Sequence, residues 1–311
     1  MLEKLIPKLA ASKHLTPEEV QFAVEQLVDE AIQTQTKAEF LCQLALKGET
    51  VEEIAAFARA LREKSIQPPI DPTWRNTHEI LDVCGTGGDR LNTFNISTTV
   101  ALICAATGVP VAKHGNRAIT SQAGSADVLE ALGVRIDSSP AEAAQSLREH
   151  NFAFFFAPNY HPAFKHIGAA RKLCAERGQR TIFNFLGPLL NPARPTAQLV
   201  GVPRPDLCEP LARVLQSLGV RRGMVVCGNV AGTTLSPNAG VQSPAGAAGV
   251  DPPRAPVFLD ELSSQGENTI AEFYQERGFN TSIMRPHDFP IQPATLADLA
   301  GGNREVNAEI V

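Results

Sequence analysis

Between Asp82 and Leu132 the chain runs DVCGTGGDRLNTFNISTTVALICAATGVPVAKHGNRAITSQAGSADVLEAL, and this stretch restricts the possible folds more than any other. Three polar turns interrupt its apolar segments: Gly85-Thr86-Gly87-Gly88-Asp89, Asn95-Ile96-Ser97-Thr98 and Lys113-His114-Gly115-Asn116-Arg117. Each falls where a strand should end or a helix begin. Glycines after a strand let backbone N–H groups approach an anion, and a helix N-terminus favours negative charge. Three such turns within one βαβ-sized span imply a single large, highly charged ligand. In isolation each has an ordinary reading too: a tight turn, an N-cap, a solvated loop. The glycine turn matches neither a phosphate-binding Gly-Lys-Ser/Thr loop nor GxGxxG, because Arg90 stands at the last position.

The rest of the chain supplies the frame. Threonine–glutamate pairs at Thr16/Glu19, Thr36/Glu39 and Thr50/Glu53 predict three capped helices, with apolar faces at Val20, Ala23 and Leu27 and at Ile54, Phe57 and Leu61. Residues 1–66 therefore read as a small helical domain, to which the helix expected over 162–176 contributes. The stiff segment Gln67-Pro68-Pro69-Ile70-Asp71-Pro72 follows as a linker. From there strand and helix alternate. Strands are expected at 80–84, 109–112, 152–156, 198–202 and 224–227, and helices at 97–107, 125–132, 141–150, 162–176 and 207–218. That rhythm predicts a larger α/β domain over 73–311 with a mainly parallel central sheet and a site at the carboxyl ends of its strands. Residues 229–258, rich in Gly, Pro, Ala and Ser without periodicity, read as a flexible loop, and 295–299 as a short helix.

Composition excludes several classes. Net charge is −5 over 311 residues, so no bulk basic field invites nucleic acid. No apolar run approaches the ~18 residues of a membrane span. The start, MLEKLIPKLAASKHL, lacks the apolar core of a signal peptide. The six cysteines are scattered without CxxC, which suits free thiols in a reducing cytoplasm. His161 and His166 lack the spacing of a helical zinc pair, and no nucleophile–histidine arrangement stands out. Asp260-Glu261 offers hard oxygen ligands suited to Mg²⁺, and Arg171 a fork for a carboxylate; both are equally common on solvated surfaces.

In this order, GTGGD (85–89), NIST (95–98), KHGNRAITS (113–121), GSADVLEALG (124–133), FAPNYHPA (156–163), FNFLGPLLNP (183–192) and LDELSSQGENTIAEFYQERGF (259–279) resemble the anthranilate phosphoribosyltransferases. The resemblance spans nearly the whole chain apart from 229–258. It implies transfer of phosphoribose from phosphoribosyl pyrophosphate to anthranilate in tryptophan biosynthesis, with Mg²⁺, in a homodimer paired through the helical domain. It implies a phosphoribosyl pyrophosphate site made by Gly85, Gly88, Asp89, Thr93, Asn95, Ile96, Ser97, Thr98, Lys113, His114, Gly115, Asn116, Arg117, Ala118, Ile119, Thr120, Ser121 and Ser125. Gly85, Asn116 and Arg171 would contact anthranilate; Ser97, Asp260 and Glu261 would hold the metal. Lys113 and Arg117 would stabilise the departing pyrophosphate, with no nucleophile or general base. The family pattern has a shorter connection than 229–258 and continues past Val311 through another helical stretch.

Two other readings stay open at this point. A pyrimidine nucleoside phosphorylase shares GTGGD and KHGNR loosely but needs no acidic metal pair. A non-catalytic paralogue that binds nucleic acid or a protein would go with lost site residues and a basic surface.

Overall fold

The computed structural model describes residues 2–118, 122–234, 256–275, 277–288, 292 and 294–311. Helices α1 (Ile6–Ala10), α2 (Pro17–Val28), α3 (Thr34–Lys47) and α4 (Val51–Glu63) form a helical layer, and α5 (Pro72–Thr77) follows the linker. Then come β1 (Leu81–Gly85), α6 (Ile96–Ala106), β2 (Val111–Gly115), α7 (Ser125–Ala131), α8 (Pro140–His150) and β3 (Phe152–Phe156). Next are α9 (Ala157–Tyr160), α10 (Lys165–Glu176), β4 (Ala197–Gly201), α11 (Cys208–Ser217) and β5 (Arg222–Thr234). The last elements are β6 (Pro256–Leu259), β7 (Asn268–Tyr274), β8 (Arg277–Met284) and α12 (Arg304–Ile310).

Two of the three expected capping boxes form. Thr16 Oγ1 accepts from Glu19 N and Thr50 Oγ1 from Glu53 N, while each glutamate carboxylate takes the threonine N–H in return. Glu53 does more: it also pairs with Lys47 at 2.6 Å and accepts from Leu15 N at 2.8 Å, tying together the ends of three helices. The Thr36/Glu39 box does not form, because α3 already starts at Thr34 with Gln33 as its cap. The extra turn brings Lys37 inward, where its Nζ donates to the carbonyls of Asp29 and His166 and so joins α3 to α10.

The sheet runs β3-β2-β1-β4-β5-β7-β8, with β6 paired to the far half of β5. Strands β3, β2, β1, β4 and β5 are parallel; β6, β7 and β8 are antiparallel. The chain order reverses between β1 and β4, and such a switch point opens a crevice at the strands' carboxyl ends. Ala101 and Ala105 of α6 and Ala126 and Leu129 of α7 pack on one face, and α8 and α11 on the other. One continuous core runs from Leu2 and Phe40 of the helical layer through α10 and α11 to Phe273 of β7.

Three expectations for the later part of the chain need correction. The helix over 162–176 begins as a 3-10 turn at Pro162–Phe164 and becomes α-helical only from Lys165. Residues 295–299 form a turn, closed by Thr295 and Asp298, and not a helix. The segment 229–258 is not a loop at its ends. Residues 229–234 continue β5, and 256–259 return antiparallel to it, with Thr234 opposite Pro256 and Gly228 opposite Leu259. Its middle, 235–255, lies outside the described residues.

Candidate active site

The ends of β1 and β4 are both glycine, and Asp260 shows why. A Cβ on Gly85 would stand 2.6 Å from Asp260 Oδ2, and one on Gly201 would fall on the Asp260 carbonyl oxygen. The backbone leaving β6 therefore crosses directly over the two strand ends, in the crevice at the switch point. The glycine turn after β1 is fixed against it. Gly87 N donates to Asp260 Oδ2 at 2.8 Å, and Thr86 N to the Gly201 carbonyl at 2.9 Å. The turn passes through Gly88 at φ +98°, a left-handed conformation that glycine adopts at little cost.

The acidic turn is held from below by Asn268, whose side chain is fully buried. Its Oδ1 accepts from Ser263 N at 2.6 Å, and its Nδ2 donates to the Ser263 and Gly266 carbonyls. This clamp places three carboxylates together, those of Asp89, Asp260 and Glu261. Burial, followed by the Asp89 and Glu261 charges, raises Asp260 well above the usual carboxylate range. Burial also pushes Glu261 up to about 7, opposed by the Lys113 ammonium and by the Ser97 N–H at the start of α6. Asp89 Oδ1 accepts from Leu91 N, while its buried Oδ2 has no partner among the described residues.

Clustered carboxylates that burial disfavours as anions, with an unsatisfied oxygen among them, are stabilised as anions by a bound cation. Hydroxyl and carboxylate oxygens suit Mg²⁺, which completes its shell with water and ligand phosphates. Among the described residues no group of three or more His, Cys, Asp and Glu side chains stands at metal-ligating spacing, so the protein offers a partial shell. Ser97, Asp260 and Glu261 fit that partial role. Asp89, which the family resemblance groups with the phosphoribosyl ligand, lies near enough to raise both carboxyls without completing such a group.

Of the NIST segment, Ile96 and Ser97 open α6 toward the carboxylates. Asn95 is braced, its Nδ2 donating to the Ala123 carbonyl and its Oδ1 accepting from Asn307. Thr93 bridges to Ala300. Thr98 is fully buried with its hydroxyl unpartnered, so its side chain does not face a ligand in the crevice. Ile119, Thr120 and Ser121 lie outside the described residues.

The KHGNR segment departs most from expectation. Lys113 is 1% exposed, and its Nζ donates to the Val83 carbonyl at 2.8 Å and to Ser97 Oγ at 3.3 Å. It sits beneath the crevice and supports Ser97 and Glu261, and does not reach out as a leaving-group clamp. Successive residues of a strand face opposite sides. His114 therefore points away from α6, buried edge-on against His161 at 5.3 Å, with burial pulling it down to about 3. Its ring is thus not in the phosphoribosyl site. Arg117 is turned outward, where Asp127 (2.9 Å) and Glu130 (3.0 and 3.1 Å) hold its guanidinium. It is not aimed at a departing anion. Asn116 remains exposed at the end of β2, with Ser125 Oγ donating to its carbonyl and Ala118 N held by Asp127.

Arg171 lies on α10 over the Phe183 ring, 5.3 Å from its centroid. It makes no hydrogen bond or ion pair among the described residues, and burial lowers its pKa. A path of rings leads from it to β2: Phe183 to Phe164 at 5.8 Å, Phe164 to His161 at 5.0 Å, His161 to His114 at 5.3 Å. A half-buried, unpaired guanidinium at the edge of an aromatic wall suits an aromatic carboxylate.

Sequence reasoning missed the support beneath this site. Asp82 is fully buried, raised chiefly by burial, and accepts from Asn191, Gln198 and the His114 backbone. The signal was present in Asn191 of FNFLGPLLNP, which follows the apolar Pro188-Leu189-Leu190. A cavity of about 450 Å³ lined by Val51, Cys208, Glu209, Arg213 and Thr281 lies between α4, α11 and the β7–β8 hairpin. None of the site residues borders it.

Comparison with known proteins agrees with this architecture. The model of a glycosyl transferase family's helical bundle domain matches residues 3–65, and that of the same family's α/β domain matches 77–241. The anthranilate phosphoribosyltransferase of Lacticaseibacillus paracasei is 40% identical over 311 residues, covering 100% of this chain and 80% of the relative. That of Petrotoga mobilis is 39% identical with the same coverage. The crystal structure of the Thermus thermophilus anthranilate phosphoribosyltransferase superposes with a TM-score of 0.79 at 37% identity, covering 98% of this chain and 80% of that one. The Saccharomyces cerevisiae enzyme in complex with PRPP and Mg shares the fold, with a TM-score of 0.78 at 24% identity over 99% of this chain and 79% of that one. With both domain models matched and these relatives aligned along its whole length, the chain belongs to the anthranilate phosphoribosyltransferase family.

Proposed function

We propose that the chain transfers the phosphoribosyl group of phosphoribosyl pyrophosphate to anthranilate, releasing pyrophosphate. The observation that carries this reading is the acidic turn. Asp260 and Glu261 cross the ends of β1 and β4 and meet Asp89, Ser97 and Lys113 at the N-terminus of α6. A nucleoside phosphorylase needs no such acidic pair, and a net charge of −5 disfavours a nucleic-acid-binding paralogue. Mg²⁺ held by Ser97, Asp260 and Glu261 would neutralise charge on the pyrophosphate.

The chain's own groups do the rest. The backbone N–H groups of the glycine turn and the start of α6 face the phosphates. Gly85, Thr93, Asn95, Gly115, Ala118 and Ser125 shape the walls of that cleft, and Lys113 keeps Ser97 in place from below. Arg171 holds the anthranilate carboxylate, and Asn116 closes the opposite side. The bond from the sugar C1 to the pyrophosphate oxygen breaks, the amine lone pair forms the new C1–N bond, and the amine loses a proton. An aromatic amine is a free base at neutral pH, so positioning and charge neutralisation suffice without a strong general base.

We extend the reading to a homodimer paired through the helical layer, supported by exposed Phe22 and Leu46 on its helices, and to a reducing cytoplasm, supported by six free cysteines. A division into helical (1–66, with 162–176) and α/β (73–311) units is supported by α10 packing on α3. The test is direct. Purified protein given Mg²⁺ and phosphoribosyl pyrophosphate should consume anthranilate, seen as loss of its fluorescence, and should stop when the metal is chelated. A folded protein that leaves the fluorescence unchanged overturns the reading.

A further inference from the structure

Three of the cations around the crevice already have partners. Lys113 Nζ is engaged by Val83 and Ser97, Arg117 by Asp127 and Glu130, and Arg171 lies over Phe183. Arg180 is different. Its Nη2 stands 3.9 Å from the position a Cβ would take on Gly88, with Pro203 Cγ at 4.0 Å. It is exposed and makes no side-chain hydrogen bond or ion pair among the described residues. Its backbone is nevertheless fixed. Gln179 Nε2 donates to its carbonyl at 2.9 Å, and the next three residues, Thr181, Ile182 and Phe183, are buried. Thr181 N is also tied to Asn184 Oδ1 at 2.8 Å. An unpaired guanidinium thus projects from a hydrogen-bonded corner over the glycine turn.

The turn itself supplies a second, independent observation. Gly87 N is used by Asp260, but the backbone N–H groups of Gly88 and Asp89 donate to nothing among the described residues. Two unsatisfied N–H groups and one unpaired guanidinium make a rim of donors at the turn, beside the Asp89 carboxylate. Such a rim binds an anion with several acceptor oxygens, and a planar fork suits a phosphate better than a point charge does.

We propose that Arg180 is a ligand-binding residue that grips the pyrophosphate group from outside the Gly88–Asp89 turn. This rests on the proposed reaction for the identity of the anion, while the geometry concerns any diphosphate. It assigns to Arg180 the unpaired charge beside the turn that Arg117, held by Asp127 and Glu130, does not provide. The role separates from that of Arg171, which faces the acceptor's carboxylate.

The test compares wild type, Arg180→Ala and Arg180→Lys as the full chain. Binding of inorganic pyrophosphate in the presence of Mg²⁺ is measured by calorimetry, alongside the steady-state KM values. Removing one charge-assisted hydrogen bond should weaken pyrophosphate binding and raise KM for phosphoribosyl pyrophosphate by roughly 10- to 100-fold, leaving KM for anthranilate within about twofold. Arg180→Lys should recover part of that affinity. The side chain has no partner in the fold, so the variants should melt with the wild type. An unchanged pyrophosphate Kd, a wild type that binds no pyrophosphate, or equal weakening toward anthranilate overturns the proposal. If wild type binds pyrophosphate through Arg180 yet leaves anthranilate intact, the contact stands and the proposed reaction falls.

Discussion

Asp260 and Arg171 are single residues whose surroundings set opposite expectations for substitution. Asp260 is held well above the usual carboxylate range, chiefly by burial, so burial favours its neutral form when no cation is present. Asn mimics that form. Asp260→Asn should therefore keep or slightly raise Tm, while raising the Mg²⁺ concentration for half-maximal activity about tenfold or more. A wild-type metal titration would remove Asp260 from the metal site. Arg171 makes no polar contact that folding depends on. Arg171→Ala should raise KM for anthranilate by roughly 10- to 100-fold, the worth of one charge-assisted contact, with KM for phosphoribosyl pyrophosphate nearly unchanged. An unchanged anthranilate KM would exclude it as the carboxylate grip. At this scale residue type was legible in the sequence and orientation was not. Lys113, His114 and Arg117 are neighbouring basic residues in one motif, yet one lies beneath the crevice, one on the opposite sheet face and one outward. Strand parity could have separated Lys113 from His114. Nothing local indicates that Asp127 and Glu130 capture Arg117.

At the scale of elements, the acidic turn depends on glycines it never touches in sequence. Gly201 lies at the end of β4, and its missing Cβ is what admits the Asp260 carbonyl. Gly201→Ala should displace that turn, lower stability by about 1–3 kcal/mol and reduce activity far more than Tm, because the carboxylates move away from Ser97. An alanine variant with wild-type metal titration and turnover would show that the turn has room to spare. The parallel strands and two of the three capped helices were legible from the alternation of apolar runs and turn residues. The β7–β8 hairpin and the full length of β5 were not. The residues of β8 mix polar and apolar types at the sheet edge, and the Gly- and Pro-rich stretch masks the point where β6 resumes pairing.

For the whole molecule, the main burden is the buried polar layer between the helical bundle and the sheet. Burial pulls His161 down to about 4 and His114 down to about 3, against an ordinary value near 6.5. The unfolded chain therefore takes up protons near pH 6.5 that the folded chain refuses. The stability tied to neutral histidine is complete above about pH 6.5 and is lost as pH falls toward 4, by up to ~1.4 kcal/mol per pH unit for each ring. His161→Phe keeps an aromatic body beside Phe164 and removes one titration, so denaturant unfolding at pH 7 and pH 5 should show a shallower acid loss than wild type. Equal slopes would mean that His161 does not couple folding to protons.

The pairing of β5 with β6 bears on the length of the link between them. Thr234 and Pro256 are cross-strand partners, so the two ends of 235–255 are already sewn together before the chain reaches Asp260. The register of the hairpin, and not the length of the link, determines where the carboxylates land.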